Sequence, residues 1–260
     1  MGNEMRGKVA LVTGGASGIG RVTAQAFAKE GAKVAVATDA NVRGAEETVR
    51  LIRDAGGEAL FIRCDVCKER EVEALINGCV ETFGALDYAF NNAGLGPDGK
   101  RIGVFPIAEC PEDVWDRMID VNLKGVWLCM KYEIRQMLKQ GRGSIVNTSS
   151  VGGLKPIPGF GAYAASKGGL IALTRTAALE CATSGIRVNV ICPGLTARTQ
   201  LSENLSLAEP GQRDKLIEVV PMKRMGEPEE IAEAVMWLCS EASSFITGHV
   251  MPIDGGLTAS

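Results

Sequence analysis

The sequence predicts an α/β fold: one domain with a doubly wound parallel sheet of about seven strands and helices on both faces. Apolar runs of strand length alternate with helix-length amphipathic segments almost to the C-terminus. These runs are apolar nearly throughout rather than at every second residue, which is typical of strands covered on both faces. Strands that alternate with helices are joined by right-handed crossovers, and the result is a doubly wound sheet.

Each element is predicted from its apolar pattern and from the turn residues around it. The predicted strands are 8–13, 33–38, 58–63, 86–90, 143–149, 186–192 and 249–254, and the predicted helices are 18–30, 43–55, 68–83, 112–139, 161–184 and 228–240. The longest irregular stretch, 193–227, is rich in Pro and Gly and has a modest helical pattern near 212–219. Because long inserts in compact folds often cover binding sites, we expect a substrate lid at about 195–221 on a single domain spanning 1–260.

Composition excludes several functional classes. The chain has 260 residues, a net charge of −3 and no tract rich in Lys and Arg, which argues against a nucleic-acid surface. No apolar run reaches the roughly 18–20 residues of a membrane span. The N-terminal residues match neither a signal peptide nor a myristoylation site, so we expect a cytoplasmic protein.

The eight cysteines are scattered, and only Cys64 and Cys67 form a C-x-x-C pair. A redox pair or half of a metal site is one interpretation, and a strand end that runs into a loop is the other. The only histidine is His249, and no second C-x-x-C exists. We therefore expect reduced thiols and no metal site.

A glycine-rich turn, TGGASGIG at 13–20, follows the first strand and opens the first helix. Glycines at 14, 18 and 20 let the backbone approach a pyrophosphate, and the amides and dipole of the following helix stabilise its charge. In a strand–turn–helix at the N-terminus, this turn predicts a Rossmann-type dinucleotide site.

Candidate acid–base residues lie in the second half of the chain. Tyr163 and Lys167 are four residues apart and share a helix face. A nearby ammonium favours phenolate, so the pair could exchange a proton with an alcohol or carbonyl oxygen near neutral pH. Ser150 follows the fifth strand, where its hydroxyl could hold the substrate oxygen. Asn122 falls within a predicted helix, as a functional residue or as a core amide.

Together these residues resemble the short-chain dehydrogenase/reductase family over nearly the whole chain. The matching motifs are TGGASGIG, CDV (64–66), NNAG (91–94), the tetrad Asn122, Ser150, Tyr163 and Lys167, CPG (192–194) and the C-terminal segment from GEPEE to PIDGG. The resemblance implies hydride transfer between a nicotinamide C4 and a carbinol or carbonyl carbon. It also implies a homotetramer in which the helices 112–139 and 161–184 form one interface.

The resemblance assigns a role to each tetrad residue. Tyr163 would be the general acid/base, and Lys167 would lower its pKa and hold the nicotinamide ribose. Ser150 would position the reacting oxygen. Asn122 would help to hold Lys167 and a water in a proton relay.

The resemblance also implies the cofactor contacts. Asn91 and Gly94 would shape the site, Asp65 would lie against adenine, and Thr196, or less readily Thr199, would bond the carboxamide. The full set of expected contacts is Gly14, Ser17, Gly18, Ile19, Gly20, Asp39, Asp65, Val66, Asn92, Ala93, Gly94, Tyr163, Lys167, Pro193, Gly194 and Thr196.

Two positions favour NAD over NADP. Ser17 stands where many NADP-dependent relatives carry a basic residue, and the tip of the second strand carries Asp39 with no cation before Arg43. Counted forward from Gly20, the family's acidic residue would fall at Thr38; counted backward from the next helix, it falls at Asp39. In either register a carboxylate near the ribose 2′ position repels a phosphate.

The leading functional hypothesis is an NAD(H)-dependent dehydrogenase or reductase that acts on a small-molecule secondary alcohol or ketone. An NADPH-dependent 3-oxoacyl-thioester reductase and a non-catalytic dinucleotide sensor are the alternatives. We expect the substrate walls at 95–107, at 152–160 and in the lid. There Leu154, Ile157 and Phe160 suggest a partly apolar pocket for cyclic or aliphatic substrates. The cations of these walls are either solvated or bind an acidic group; they are Lys100, Arg101, Lys155 and Arg198.

Overall fold

The computed structural model describes residues 4–99, 102–206 and 211–259, and its strands form one parallel sheet. The strands are β1 (Val9–Thr13), β2 (Lys33–Thr38), β3 (Ala59–Arg63), β4 (Tyr88–Asn91), β5 (Gly143–Thr148), β6 (Ile186–Pro193) and β7 (Val250–Ile253). Their order is β3-β2-β1-β4-β5-β6-β7, and every pair is parallel. The predicted fold class and the seven strand positions are confirmed, with ends that differ by one or two residues.

The helices follow the predicted alternation. They are α1 (Gly18–Lys29), α2 (Val42–Asp54), α3 (Glu69–Phe83), α4 (Glu112–Ile119), α5 (Gly125–Gln140), α6 (Gly161–Cys181), α7 (Gln200–Ser206), α8 (Gln212–Glu218) and α9 (Pro228–Cys239). The predicted helix 112–139 is interrupted, because a π-helical turn at Asp120–Lys124 separates α4 from α5. Short 3-10 turns lie at Ile107–Glu109, Val151–Gly153 and Glu241–Ser243.

Two apolar layers cover the sheet. On one face, α3, α5 and α6 bury residues such as Leu75, Leu128 and Leu170 against the strands. On the other, α1, α2 and α9 bury residues such as Phe27 and Val235. This double cover explains why all five side chains of β1 are buried. Within the described residues, no helix combines the length and apolar content needed to cross a membrane.

The strand order places the functional edge of the sheet. β1 lies between β2 and β4, so the chain leaves β1 in one direction and continues at β4 in the other. In open α/β sheets this reversal leaves a crevice at the carboxyl ends of the strands, where ligands bind. The turns after β1, β4, β5 and β6 therefore meet along one edge.

The predicted lid stretch contains α7, which the sequence did not predict, and α8, which it did. Its base is closed by backbone bonds: the Ala197 amide donates to Gly226 O (2.8 Å), and the Gly226 amide donates to Leu195 O (2.9 Å). Arg198, at a φ of 55°, forms ion pairs with Glu227 and Glu229 beside that base. Its function as a lid stays a prediction.

Candidate active site

A cavity of about 840 Å³ opens at the carboxyl edge of the sheet and brings most of the predicted site residues together. Of the predicted cofactor contacts, all but Gly20 line it, and so does Ser150 from the tetrad. The lining set is Gly14, Ser17, Gly18, Ile19, Asp39, Asp65, Val66, Asn92, Ala93, Gly94, Ser150, Tyr163, Lys167, Pro193, Gly194 and Thr196. Gly20 and Asn122 do not line the cavity; they contact residues that do.

The glycine turn depends on close backbone approach. Gly14 has a φ of 64°, and a Cβ there would lie 2.9 Å from the backbone of Ala93. A Cβ on Gly20 would lie 2.3 Å from Gly14 O, so Gly20 lets α1 start directly against the turn. The first residues of α1, Gly18 and Ile19, line the cavity, so the amides and the partial positive charge of this helix N-terminus suit a pyrophosphate there.

Ser150, Tyr163 and Lys167 converge from β5 and α6. The Ser150 hydroxyl accepts a hydrogen bond from the Gly152 amide (3.1 Å), which caps the 3-10 turn. A Cβ on Gly152 would lie 3.1 Å from the Tyr163 ring, so that turn packs against the phenol. Lys167 Nζ donates to Thr148 O (2.8 Å) and lies 5.8 Å from the centroid of the Tyr163 ring.

Burial controls the ionisation of this pair. It raises the pKa of Tyr163, whereas the hydrogen bond with Ser150 lowers it. Burial also lowers the pKa of Lys167 to about 8. Desolvation of the phenolate is the largest effect on the phenol, so the net direction of its pKa shift is upward. The expected lowering of the Tyr163 pKa by Lys167 stays a prediction.

Asn122 occupies the π-helical turn, and its side chain is buried. Its Oδ1 accepts from the Leu95 amide (2.8 Å), and its Nδ2 donates to Leu95 O (2.9 Å). A Cβ on Gly94 would lie 3.1 Å from Asn122 Oδ1 and 3.4 Å from Lys167 Nζ. Asn122 thus fixes the backbone of Leu95, next to Gly94, and lies near the lysine, in the kind of helical widening that often marks functional sites.

The NNAG segment is held from behind. The Thr13 hydroxyl accepts from the amides of Asn92 (3.1 Å) and Ala93 (3.2 Å). The Asn91 side chain is buried away from the cavity: its Nδ2 donates to Glu133 Oε2 (2.9 Å). Asn91 itself does not line the cavity, so its expected influence on the cofactor site would pass through the turn 92–94 that follows it, and that role stays a prediction. Sequence reasoning missed both Thr13 and Glu133: Thr13 opens the glycine motif but was given no role, and Glu133 stands in no motif.

The adenosine end is acidic and more open. Thr38 and Asp39 both line it, and Asp39 is exposed. The Asp65 carboxylate accepts from the Cys67 amide (3.0 Å) and shapes the turn that carries Val66. Cys64 and Cys67 line the same wall as free thiols, and burial raises the pKa of each to about 12.

Leucines from two of the three expected walls, the segment 95–107 and the lid, line the cavity, whereas the apolar side chains singled out in the third, 152–160, do not. Leu154 and Ile157 are exposed (40% and 51%) and do not line the cavity. Phe160 lines a smaller neighbouring cavity behind Tyr163. The leucines that line the cavity are Leu95, which follows the NNAG segment, and three from the lid: Leu195, Leu201 and Leu205.

Neither of the two described cations of the predicted walls, Lys155 and Arg198, lines the cavity. Arg198 is paired with Glu227 and Glu229 outside it, and Lys155 Nζ donates to Leu257 O (3.3 Å). Lys100 and Arg101 lie outside the described residues. In the described ranges, no group of three or more His, Cys, Asp or Glu side chains could hold a metal ion.

Both candidate threonines line the cavity. The Thr196 hydroxyl is buried and donates to Gly194 O (3.2 Å), and the Thr199 hydroxyl donates to Thr196 O (3.0 Å). Both hydroxyls lie on the lid side of the cleft, where the chain leaves β6. Which of them bonds a carboxamide stays a prediction.

Comparison with known sequences gives long matches. A family model described as enoyl-(acyl carrier protein) reductase matches residues 14–258. The short chain dehydrogenase/reductase astE of Aspergillus oryzae is 43% identical, covering 99% of this chain and 98% of that protein. The 2,5-dichloro-2,5-cyclohexadiene-1,4-diol dehydrogenase of Sphingobium indicum is 41% identical, with 99% of each chain covered. The cyclohexanol dehydrogenase of an Acinetobacter strain is 39% identical, covering 100% of this chain and 98% of its own.

Solved structures agree with these matches. Levodione reductase superimposes with a TM-score of 0.92 at 36% identity, covering 98% of this chain and 99% of that one. NAD⁺-bound xylitol dehydrogenase superimposes with a TM-score of 0.91 at 37% identity, covering 97% and 100%. With the glycine turn and the Ser–Tyr–Lys set in one cavity, these likenesses show that the chain belongs to the short-chain dehydrogenase/reductase family and is an oxidoreductase of the alcohol dehydrogenase type.

Proposed function

We propose that the protein interconverts a secondary alcohol and its ketone with NAD(H), with Tyr163 as the general acid/base. The observation that carries this proposal is that Ser150, Tyr163 and Lys167 line the same cavity as the glycine turn. Several family relatives are named as dehydrogenases of alcohols or diols, which supports the reaction class.

The residues present fit a nicotinamide dinucleotide. Gly14 has no room for a side chain, and the turn that it forms leaves backbone amides facing the cavity. Asp65 and Val66 would lie against adenine, Lys167 would hold the nicotinamide ribose, and Thr196 would face the carboxamide. When bound, the cofactor supplies the hydride acceptor or donor.

The chain's own residues handle the proton. In oxidation, Tyr163 Oη takes the proton of the substrate hydroxyl; in reduction, it returns a proton to the carbonyl oxygen. The Ser150 hydroxyl donates a hydrogen bond to the same oxygen and fixes its distance from the phenol. Lys167, as an ammonium, stabilises the phenolate that forms during oxidation.

The leucine walls support an apolar substrate. The cavity that contains Ser150 is also lined by Leu95, Leu195, Leu201 and Leu205, and a Cβ on Gly96 would lie 3.0 Å from Leu201. Two relatives carry names with a six-membered carbocycle bearing a hydroxyl. We therefore propose cyclic secondary alcohols and ketones as the substrate class, with aliphatic ones next.

Preference for NAD over NADP is part of the proposal. Asp39 and Asp65 give the adenosine end negative charge, which disfavours a 2′-phosphate. A solved relative at 37% identity is named as NAD⁺-bound. We also propose a homotetramer of single-domain protomers, because Trp127, Leu138 and Leu179 leave apolar surface exposed on α5 and α6.

Initial rates test the function directly. We expect NADH absorbance to rise with cyclohexanol and related cyclic alcohols, with a higher kcat/KM for NAD than for NADP. Acetoacetyl thioester with NADPH is the comparison substrate. A higher kcat/KM for that pair would replace this proposal with an acyl-thioester reductase, and NADH binding without turnover of either class would indicate a sensor. Light scattering of the purified chain tests the tetramer.

A further inference from the structure

Behind the catalytic edge, a network of hydrogen-bonded, buried polar side chains links α5 to α6 by way of β4 and β5. Asn91 in β4 donates from Nδ2 to Glu133 Oε2 on α5 (2.9 Å) and to Asn147 Oδ1 in β5 (3.0 Å). Asn147 Nδ2 in turn donates to Thr174 Oγ1 on α6 (3.0 Å). All four side chains are 1% exposed or less. Such a network is rigid, because each member has little freedom to find another partner.

This network lies next to the reacting groups. Asn91 and Asn147 are register partners at the ends of β4 and β5. Asn91 directly precedes the turn 92–94, which lines the cofactor cavity. Asn147 directly precedes Thr148, whose carbonyl oxygen accepts from Lys167 Nζ, and Ser150 follows two residues later. A shift of either asparagine would therefore move groups in the active site.

Glu133 is the unusual member. Its side chain is fully buried, and burial raises its pKa to about 8, so the carboxyl is mainly protonated at neutral pH. The hydrogen bond from Asn91 lowers the pKa of Glu133, but by less than burial raises it. The titratable groups whose pKa values respond to Glu133 are the thiols of Cys79 on α3 and Cys129 on α5. Neither thiol carries a charge that could compensate a buried carboxylate.

Two atoms of the network have no hydrogen-bond partner among the described residues: Glu133 Oε1 and Asn91 Oδ1. A protonated carboxyl has one donor, whereas a carboxylate has only acceptors. The acid form therefore suits a site that already has two unpaired acceptors. The carboxylate form would increase the free-energy cost of burying these unpaired groups.

We propose that Glu133 is a positioning residue, which acts through Asn91 to fix the turn 92–94 relative to the segment 148–150. It touches neither substrate nor cofactor. The expected effect of Glu133 on turnover rests on the proposed function. Its expected effect on dinucleotide affinity does not, since that affinity depends on the turn 92–94 directly. Misplacement of reacting groups by about 1 Å can cost about 100-fold in rate, so a small shift at these strand ends is measurable.

The test compares three variants by NADH fluorescence titration, by kcat/KM with the best cyclic alcohol and by Tm. Glu133→Leu removes the carboxyl but keeps the bulk, and Glu133→Gln keeps a neutral side chain with donor and acceptor. Met137→Ala is the matched control: Met137 is fully buried on α5 but packs on Gly143, at the opposite end of β5.

We expect Glu133→Leu to raise the Kd for NADH about tenfold and to lower kcat/KM at least as much. Glu133→Gln should stay within about twofold of wild type at pH 7, because it mimics the neutral acid. Met137→Ala should lower Tm as Glu133→Leu does, yet leave the Kd for NADH and kcat/KM near their wild-type values. Above about pH 8, the wild-type Kd should rise relative to that of Glu133→Gln, because only the wild type then ionises.

Three results would overturn the proposal. Equal effects of Glu133→Leu and Met137→Ala would reduce Glu133 to a general contributor to stability. Loss of NADH affinity in Glu133→Gln at pH 7 would mean that a neutral side chain does not suffice. If the ratio of the wild-type Kd for NADH to that of Glu133→Gln is constant from pH 6 to 10, Glu133 does not ionise in this range. This measurement does not need Glu133→Leu and can be made even if that variant does not fold. A chain that binds NADH but oxidises no alcohol would instead refute the proposed function.

Discussion

The catalytic end and the adenosine end of the cavity are built differently. At the catalytic end, Lys167 and Asn122 are buried and each is bonded to backbone, so the reacting groups are held from several sides. At the adenosine end, Asp39 is exposed at the tip of β2. Rigid placement is needed where a proton and a hydride move, whereas charge discrimination tolerates a mobile side chain. The two ends should therefore respond very differently to single substitutions.

The largest effect is expected from removing the phenol oxygen at the catalytic end. Tyr163→Phe should lower kcat by about 100- to 10,000-fold, because general acid–base catalysis contributes that much. Dinucleotide binding should survive, as a fluorescence titration with NADH would show. Tyr132→Phe is the matched control, since Tyr132 Oη bonds only the surface residue Glu69 (3.1 Å) in the described structure. Near-normal turnover in Tyr163→Phe would remove Tyr163 from the mechanism.

A single methyl group should disturb the same end by a smaller amount. In Gly94→Ala, the new Cβ would lie 3.1 Å from Asn122 Oδ1 and 3.4 Å from Lys167 Nζ, so one of them must shift. We expect kcat/KM to fall about 10- to 100-fold, with a raised Kd for NADH. In Gly168→Ala, beside Lys167, the nearest atom would be 3.6 Å away. Gly168→Ala is the control, which should keep its activity and have a slightly higher Tm. Equal losses of kcat/KM in both variants would contradict the argument that the new methyl group crowds Asn122 and Lys167.

The ionisation of the catalytic end predicts opposite pH profiles for the two directions. Burial raises the pKa of Tyr163, so the phenolate needed for alcohol oxidation forms only as the pH rises. The kcat/KM for oxidation should therefore increase towards alkaline pH. The kcat/KM for ketone reduction, which needs the protonated phenol, should decrease over the same range. Profiles that run in parallel would show that another group titrates.

The same contrast explains what the sequence could predict. The fold, the glycine turn and the positions of Ser150, Tyr163 and Lys167 followed from local patterns and motif spacing. The partnership of Asn91 with Glu133 did not, because it joins positions 42 residues apart, and YEIR is an ordinary stretch of helix. The exposure of Leu154 and Ile157 was missed for a related reason. Whether an apolar side chain faces a cavity depends on how its turn docks, and composition does not encode that.

The smallest effect is expected at the adenosine end. Asp39→Ala should narrow the ratio of kcat/KM values for NAD and NADP by about two- to fivefold, because solvent and salt screen an exposed carboxylate. Activity with NAD should change little. Glu46→Ala, which removes an exposed carboxylate from α2 outside the cavity, is the matched control. An unchanged ratio in Asp39→Ala would assign the selection to Thr38 or the backbone. A narrowing that disappears at high salt would show that Asp39 acts through charge, and one that persists would show a direct hydrogen bond to the ribose.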